Sequence, residues 1–526
     1  MATSISWITD AAAGQFPLVA PDRPAIAIDD GAPLTYGELR ELELRYATSL
    51  QRAGVGRGDR VALILRNSLD YVALFLAIAR LGAISVRVNF RLTGPEISFI
   101  VKDSGSKIIV FDEDLQESVA SVRQNLDVET YVMRDGAQGG KDSAPSWAVP
   151  MSVFMGEATD GSFPQFDSNF PATILYTSGT TGTPKGSVWT HANILWFSTI
   201  QAMKWKFDPE TVAMTSGPLF HAGALEVLIL PALMRHGRAV IFSSGGFSVE
   251  HLLHVSKVQQ ATCMLAFSFM VHDMLKLPDL ESRISSVLTR IHTGGDAVMP
   301  WVYPEFEKRL PQVEVVQQYG LTEGGAVSTC LDHADAVGRT HTVGRPLPLT
   351  DVKVVTEEGR PAQPGELGEI YVRSPGVSGI YWGRPNATQE TFQDGWCRTG
   401  DLGQVDPEGF LILAGRAKDM IRSGAENVYP AEVEAVLTKA PMVADAAVFG
   451  VPHPKFQEVG CCALVAENGK SIEIEKVKEY CEARLAKYKV PKHFVVLDLI
   501  PRTTSGKVQK YILKDRYKDI FSQTIG

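Results

Sequence analysis

The sequence predicts an α/β protein. Helix-covered parallel sheets and a small β-barrel-like subdomain make up a large N-terminal domain, and a small α+β domain follows at the C-terminus. Two observations carry this. Short β-branched strands alternate with helices over most of the chain, the pattern that builds parallel sheets covered on both faces. The texture then changes twice, near residue 341 and after Gly415. The expected organisation is 1–414 for the large domain (β-rich from about 341), 415–420 for a linker and 421–526 for the small domain.

The elements follow in order. VALIL (61–65) reads as a strand, Asn67–Ser68 as a helix cap, Gly82 as a stop and AISVRV (83–88) as the next strand. TILYT (173–177), AVIF (239–242), TCMLA (262–266), RIHT (290–293) and VEVVQ (313–317) are further strands, with helices at 249–257 and 300–309. Beyond 341, Gly and Pro are dense and strands such as DVKVV and GEIYVR are short. In the last segment AEVEAVL, introduced by Pro430, and residues 474–486 read as helices; AAVFGV, CALVA and FVVL read as strands.

Composition excludes several classes. Apolar residues are 45% and charged residues 21%, which removes disorder and coiled coils. The net charge of −9 gives no field for general nucleic-acid binding, so any site for a polyphosphate must gather its positive charge locally. Six Cys without a CxxC pair argue against a disulfide scaffold or a zinc site and for a reducing compartment. The most apolar stretch, 61–88, holds Arg66, Asp70, Arg80 and Arg87, and its charge-free run falls far short of the ~20 residues that span a bilayer. No signal peptide or lipidation motif is apparent, so a cytoplasmic protein is expected.

The strongest chemical signal is YTSGTTGTPKG, Tyr176–Gly186, directly after a strand. Gly179, Gly182 and Gly186 let backbone N–H groups approach a polyphosphate. Thr177, Ser178, Thr180 and Thr181 add hydroxyls, and Lys185 adds a point charge. Pro184 and Gly186 depart from a Walker A loop, so a P-loop NTPase, which would release phosphate rather than pyrophosphate, ranks behind the other readings. Glu323 lies after a strand at the carboxyl end of a parallel sheet, where ligands bind. A carboxylate beside a phosphate loop calls for a cation between them.

This run resembles the signature of the adenylate-forming superfamily of acyl-CoA synthetases, peptide-synthetase adenylation domains and luciferases. YGLTEGG (319–325), RTGDLG (398–403), GRAKD (415–419) and PRTTSGK (501–507) resemble its other motifs in the same order, so the resemblance spans essentially the full chain. It implies nucleotide contacts from Thr177, Ser178, Gly179, Thr180, Thr181, Gly182, Lys185, Gly294, Gly295, Asp296, Gln317, Tyr319, Gly320, Thr322, Asp401, Arg416 and Lys507. Thr177 and Glu323 would hold Mg²⁺. Asp401 would accept hydrogen bonds from the ribose hydroxyls. Thr322, Glu323, Lys507 and His221 would serve catalysis, with Lys507 carried by a mobile C-terminal domain that pivots at Lys418.

Phe220–Ala224 resembles the acid-pocket entrance of acyl- and aryl-CoA ligases, with His221 packed near the carboxylate. The acyl pocket would draw on Trp196, His221, Leu225, Phe267, Gly294, Gly295, Ala326 and Val327. It is apolar and partly aromatic, which favours a hydrophobic aryl or medium-chain monoacid. Ser423, Gly424, Ala425, Lys489 and Lys492 are candidates for coenzyme A, with Arg87 and Arg91 behind them. The expected reaction is acyl-AMP formation from ATP, then thioester formation with coenzyme A. The alternatives are loading of an acyl carrier protein in trans and a catalytically inactive nucleotide-binding regulator. No nucleic-acid or integral membrane partner is expected, and a homodimer is the candidate assembly.

Overall fold

The computed structural model describes residues 4–135, 144–159, 163–177, 184–245, 247–295, 298–416, 419–423, 426–453, 456–467, 469–502 and 508–521. Contacts divide the chain into two units. One comprises Met1–Thr340, Pro346–Asp351 and Val372–Arg398; the other comprises His341–Arg345, Val352–Tyr371 and Thr399–Gly526.

The first unit holds two largely parallel sheets. One runs, in spatial order, Ile380–Tyr381, Lys185–Thr190, Pro171–Thr177, Ile84–Arg87, Arg60–Ile64, Ile108–Asp112, Thr130–Arg134 and Val149–Pro150. The strands from Pro171–Thr177 to Val149–Pro150 pair in parallel. The other sheet places Glu314–Tyr319, Arg290–Gly294, Cys263–Leu265, Val212–Thr215, Arg238–Ile241 and Pro24–Ile28 side by side in parallel.

Between them lies the most apolar stretch of the sequence. Leu69–Arg80 is a helix whose N-cap, Ser68, accepts a hydrogen bond from the Tyr71 N–H. Every residue from Tyr71 to Arg80 is buried. A helix apolar on all sides belongs inside a core, and this one shares a hydrophobic cluster with Ile26 of one sheet and Leu63 of the other. Burying side chains such as Leu74, Phe75 and Leu76 stabilises the unit by roughly 1.5–3 kcal/mol each. The helix stops where Gly82 takes φ +64°, a conformation open to glycine. Asn67 proves not to be the cap. Its side chain reaches outward to another segment, as described below.

In the second unit, Asp401–Val405 pairs antiparallel with Leu411–Arg416. The C-terminal part is α+β. Val443–His453 and Gln457–Ala466 form a long antiparallel pair, and His493–Val496 joins in parallel. Helices Pro430–Leu437 and Ile474–Glu482 cover this sheet through Val433, Leu437, Val477 and Cys481. The proline occupies the first helical turn, where its missing N–H costs nothing. The second helix ends at Glu482, short of the expected 486.

Candidate active site

Pro171–Thr177 turns back into Lys185–Thr190 as an antiparallel hairpin, with Thr177 directly opposite Lys185. Thr177 and Lys185 are therefore described residues that flank the Ser/Thr/Gly run in sequence. Ser178, Gly179, Thr180, Thr181 and Gly182 lie outside the described residues. Gly186 has a packing reason of its own: a Cβ there would stand 2.7 Å from Ile174 Cγ2.

Glu323 comes to this hairpin from the loop after Glu314–Tyr319. Its carboxylate is buried, at 9% exposure. Thr177 Oγ1 donates to Glu323 Oε1 at 2.8 Å, and Tyr381 Oη donates to the same oxygen at 2.9 Å. The Lys185 ammonium lies 5.3 Å from the Tyr381 ring centroid. Burial, followed by the Glu323 charge, pushes the Tyr381 phenol far above its ordinary range, so it stays a donor.

The loop that delivers Glu323 is tightly specified. A Cβ on Gly320 would meet the Ala326 carbonyl oxygen at 2.2 Å, so only glycine fits. Gly325 and Ala326 both take positive φ, +89° and +64°. For alanine this is strained backbone, and such strain concentrates at functional sites. The Trp189 indole donates to the Thr322 carbonyl at 3.1 Å. Gly294 faces the Gln318 carbonyl so closely that a Cβ would lie 2.8 Å away. Gln317 is buried, and its Oε1 accepts the Val298 N–H at 2.9 Å, anchoring the chain just past Gly295 and Asp296. Asp296 itself lies outside the described residues.

Two contributors escaped sequence reasoning. Tyr381 reaches Glu323 because Ile380–Tyr381 adds as an edge strand to Lys185–Thr190. Asp103 accepts from Tyr176 Oη at 2.7 Å and pairs with Arg384, tying the start of the phosphate run to the chain beyond Tyr381. Nothing local in SGIYWGRP or VKDSG signals either contact.

The acid-side residues differ in burial. Leu225 and Val327 share one hydrophobic cluster, with Ala326 packed against it. Phe267 stacks on Phe269, with centroids 6.2 Å apart. Trp196 is 48% exposed on the helix His191–Trp205. His221 is exposed. Its Nδ1 accepts the Gly223 N–H at 3.1 Å, which leaves the ring proton of the neutral form on Nε2. One expectation is corrected: Arg87 does not offer its charge to coenzyme A. It is fully buried in an ion pair with Glu226. Arg91 is exposed and lies over the Phe90 ring, 4.7 Å from its centroid.

In the second unit, Asp401 lies in a strand opposite Arg416, whose Nε is 3.1 Å from Asp401 Oδ1. Lys489 is bridged to Glu432 at 2.6 Å, so a phosphate there would compete with a carboxylate. Lys492 Nζ donates to the Lys487 carbonyl at 3.4 Å, and Ser423 is buried. Lys418, Gly424, Ala425 and Lys507 lie outside the described residues.

A family model described as AMP-binding enzyme matches residues 16–382, and its AMP-binding enzyme C-terminal domain matches 432–507. The chain belongs to the AMP-binding enzyme family. This adenylate-forming enzyme is 34% identical over 490 residues to the long-chain-fatty-acid–CoA ligase FadD13 of Mycobacterium tuberculosis, covering 92% of this chain and 93% of the relative. It is equally 34% identical over 487 residues to a feruloyl-CoA synthase of Amycolatopsis, covering 93% and 94%. Among solved structures, o-succinylbenzoate CoA synthetase from Bacillus subtilis with its acyl-adenylate intermediate superposes with TM-score 0.83 at 30% identity, over 97% of this chain and 98% of that one. No helix among the described residues of the adenylate-forming enzyme is long and apolar enough to cross a membrane.

Proposed function

We propose that this adenylate-forming enzyme activates a hydrophobic aryl or medium-chain monocarboxylic acid and passes it to coenzyme A. The carboxylate attacks the α-phosphorus of ATP, the bond to the β-phosphate oxygen breaks, and acyl-AMP and pyrophosphate result. The thiol of coenzyme A then attacks the acyl carbon and expels AMP. Acyl-AMP is already activated, so no enzyme nucleophile is needed, and Ser178 binds phosphate.

The observation that carries this reading is the buried Glu323 carboxylate, fixed by Thr177 and Tyr381 beside the hairpin that bears Lys185. Both hydroxyls reach one carboxylate oxygen, an arrangement that suits a cation on the other. Among the described residues no cluster of three or more His, Cys, Asp or Glu side chains could hold a metal alone. Magnesium bound through one or two carboxylates and substrate phosphates needs none. Glu323, with Thr177 beside it, would hold Mg²⁺, which supplies charge neutralisation at the phosphate oxygens.

Lys185 orients the polyphosphate, Asp401 accepts from the ribose hydroxyls, and Lys507 meets the charge that builds on the transferring phosphoryl group. Lys418 is the pivot that withdraws Lys507 before thiolation. The Leu225, Ala326 and Val327 cluster supports an apolar acyl group. Six buried free thiols support a reducing, cytoplasmic home.

The test is pyrophosphate release over a panel of carboxylic acids, with coenzyme A or a phosphopantetheinylated carrier protein as acceptor. Aryl or medium-chain acids should give acyl-CoA. Product on the carrier alone would reassign the thiol acceptor, and phosphate release in place of pyrophosphate would overturn the reaction.

A further inference from the structure

Arg87 ends the strand Ile84–Arg87, and its side chain is wholly buried. Nη1 pairs with Glu226 Oε1. Nη2 donates to two carbonyl oxygens, those of Leu219 and of His221, the latter at 3.1 Å. A second side chain clamps the same segment. Asn67, also buried, donates from Nδ2 to the Gly217 carbonyl at 2.9 Å and accepts the Leu219 N–H at 2.8 Å. The backbone from Gly217 to His221 is thus held by two side chains, Arg87 at the end of its strand and Asn67 in the connection that follows the strand Arg60–Ile64. Glu226 sits next to Leu225 in a single π-helical turn, Leu225–Ile229. Such turns recur at functional sites.

A buried ion pair is a poor device for stability alone. Desolvating both charges offsets most of their attraction, and apolar replacements of similar volume are often neutral or stabilising. What an apolar pair cannot do is donate to two carbonyls from one rigid, planar fork.

We propose that Arg87, with its charge fixed by Glu226, is a positioning residue: it sets the Leu219–His221 turn and through it the mouth of the acid pocket. This rests on the reading that His221 lies at that mouth. Asn67 holds the near end of the segment and Arg87 the far end, so the turn has one position available to it.

The test compares three variants with wild type: Arg87→Met/Glu226→Leu, Arg87→Lys and His221→Ala. Melting temperature, and kcat and KM for ATP and for the best acid of the panel, are measured for each. The Met/Leu pair should melt within a few degrees of wild type. Its kcat/KM for the acid should fall roughly 10- to 100-fold, the scale of a small misplacement near a reacting group. Its KM for ATP should stay within about twofold, the split that a general loosening of the fold would not produce. Wild-type acid kinetics in a Met/Leu variant that melts normally would overturn the proposal.

If that pair does not fold, Arg87→Lys decides. Lysine keeps the charge but lacks the fork, so the same acid-side loss is expected, and unchanged acid kinetics would refute the positioning role. A silent His221→Ala removes the reading of His221. If Arg87→Lys or the Met/Leu pair is still impaired toward the acid, the positioning role of Arg87 stands on the backbone of the turn.

Discussion

Tyr381 donates its phenolic hydrogen to Glu323 at 2.9 Å, on the same oxygen that Thr177 reaches at 2.8 Å. Two donors on Oε1 fix the rotation of the carboxylate, so Oε2 is the oxygen that would face a cation. Tyr381→Phe keeps the ring under Lys185 and removes one donor. A hydrogen bond to a charged group contributes about 1.5–3 kcal/mol. Half-saturating Mg²⁺ in the adenylation step should therefore rise by an order of magnitude or more, while ATP binding measured by calorimetry without Mg²⁺ should barely change. An unaltered Mg²⁺ requirement would remove Tyr381 from the site.

Lys507 is assigned to the first half-reaction only. Lys507→Ala should suppress acyl-AMP formation by about 2–4 kcal/mol, the scale of losing one preorganised charge at a transition state. Thioester formation from preformed acyl-AMP should fall far less. Pyrophosphate exchange reads the first step, and acyl-CoA production from synthetic acyl-AMP reads the second. Equal losses in both would contradict a lysine that withdraws between steps.

The difference between what the sequence discloses and what it hides is a matter of range. Ser68 caps its helix three residues from the N–H that it accepts, so the motif is complete within one window. Thr177 and Lys185 pair across neighbouring strands only eight residues apart, and the Gly/Ser/Thr run between them marks the place in the sequence. Arg87 was misread because its partner Glu226 lies 139 residues away. A lone arginine on a strand looks like an available cation until the partner is seen. Tyr381 was missed because an edge strand of two residues has no period to detect.

Two buried histidines tie stability to pH. Burial holds His191 down to about 4, and burial with the Arg290 charge holds His292 down to about 3. Both are neutral in the folded protein at pH 5, whereas in the unfolded chain they titrate near 6.5. The unfolded state then binds more protons as pH falls below 6.5, so stability drops in that direction. Between pH 7 and pH 5 each histidine should withdraw about 2 kcal/mol. Urea unfolding at the two pH values measures the sum, and His191→Gln should flatten the dependence by its share. An equal slope in the variant would show that other groups govern acid sensitivity.

Asp401 and Arg416 face each other across neighbouring strands, 3.1 Å apart at Oδ1 and Nε. Arg416 fixes one carboxylate oxygen, and a carboxylate is an acceptor for hydroxyl donors. If Asp401 binds the ribose, its removal must erase the enzyme's ability to tell ATP from 2′-deoxy-ATP. Wild type should use the deoxynucleotide with a higher KM, because one hydroxyl is missing. Asp401→Ala should raise the KM for ATP by about ten-fold or more, a loss of 1.5–3 kcal/mol per charged hydrogen bond. The same variant should treat the two nucleotides nearly alike. The ratio of the two KM values isolates ribose recognition from any general damage, because unfolding or loosening would weaken both nucleotides equally. A variant that still discriminates as wild type does would place the ribose contact on another residue.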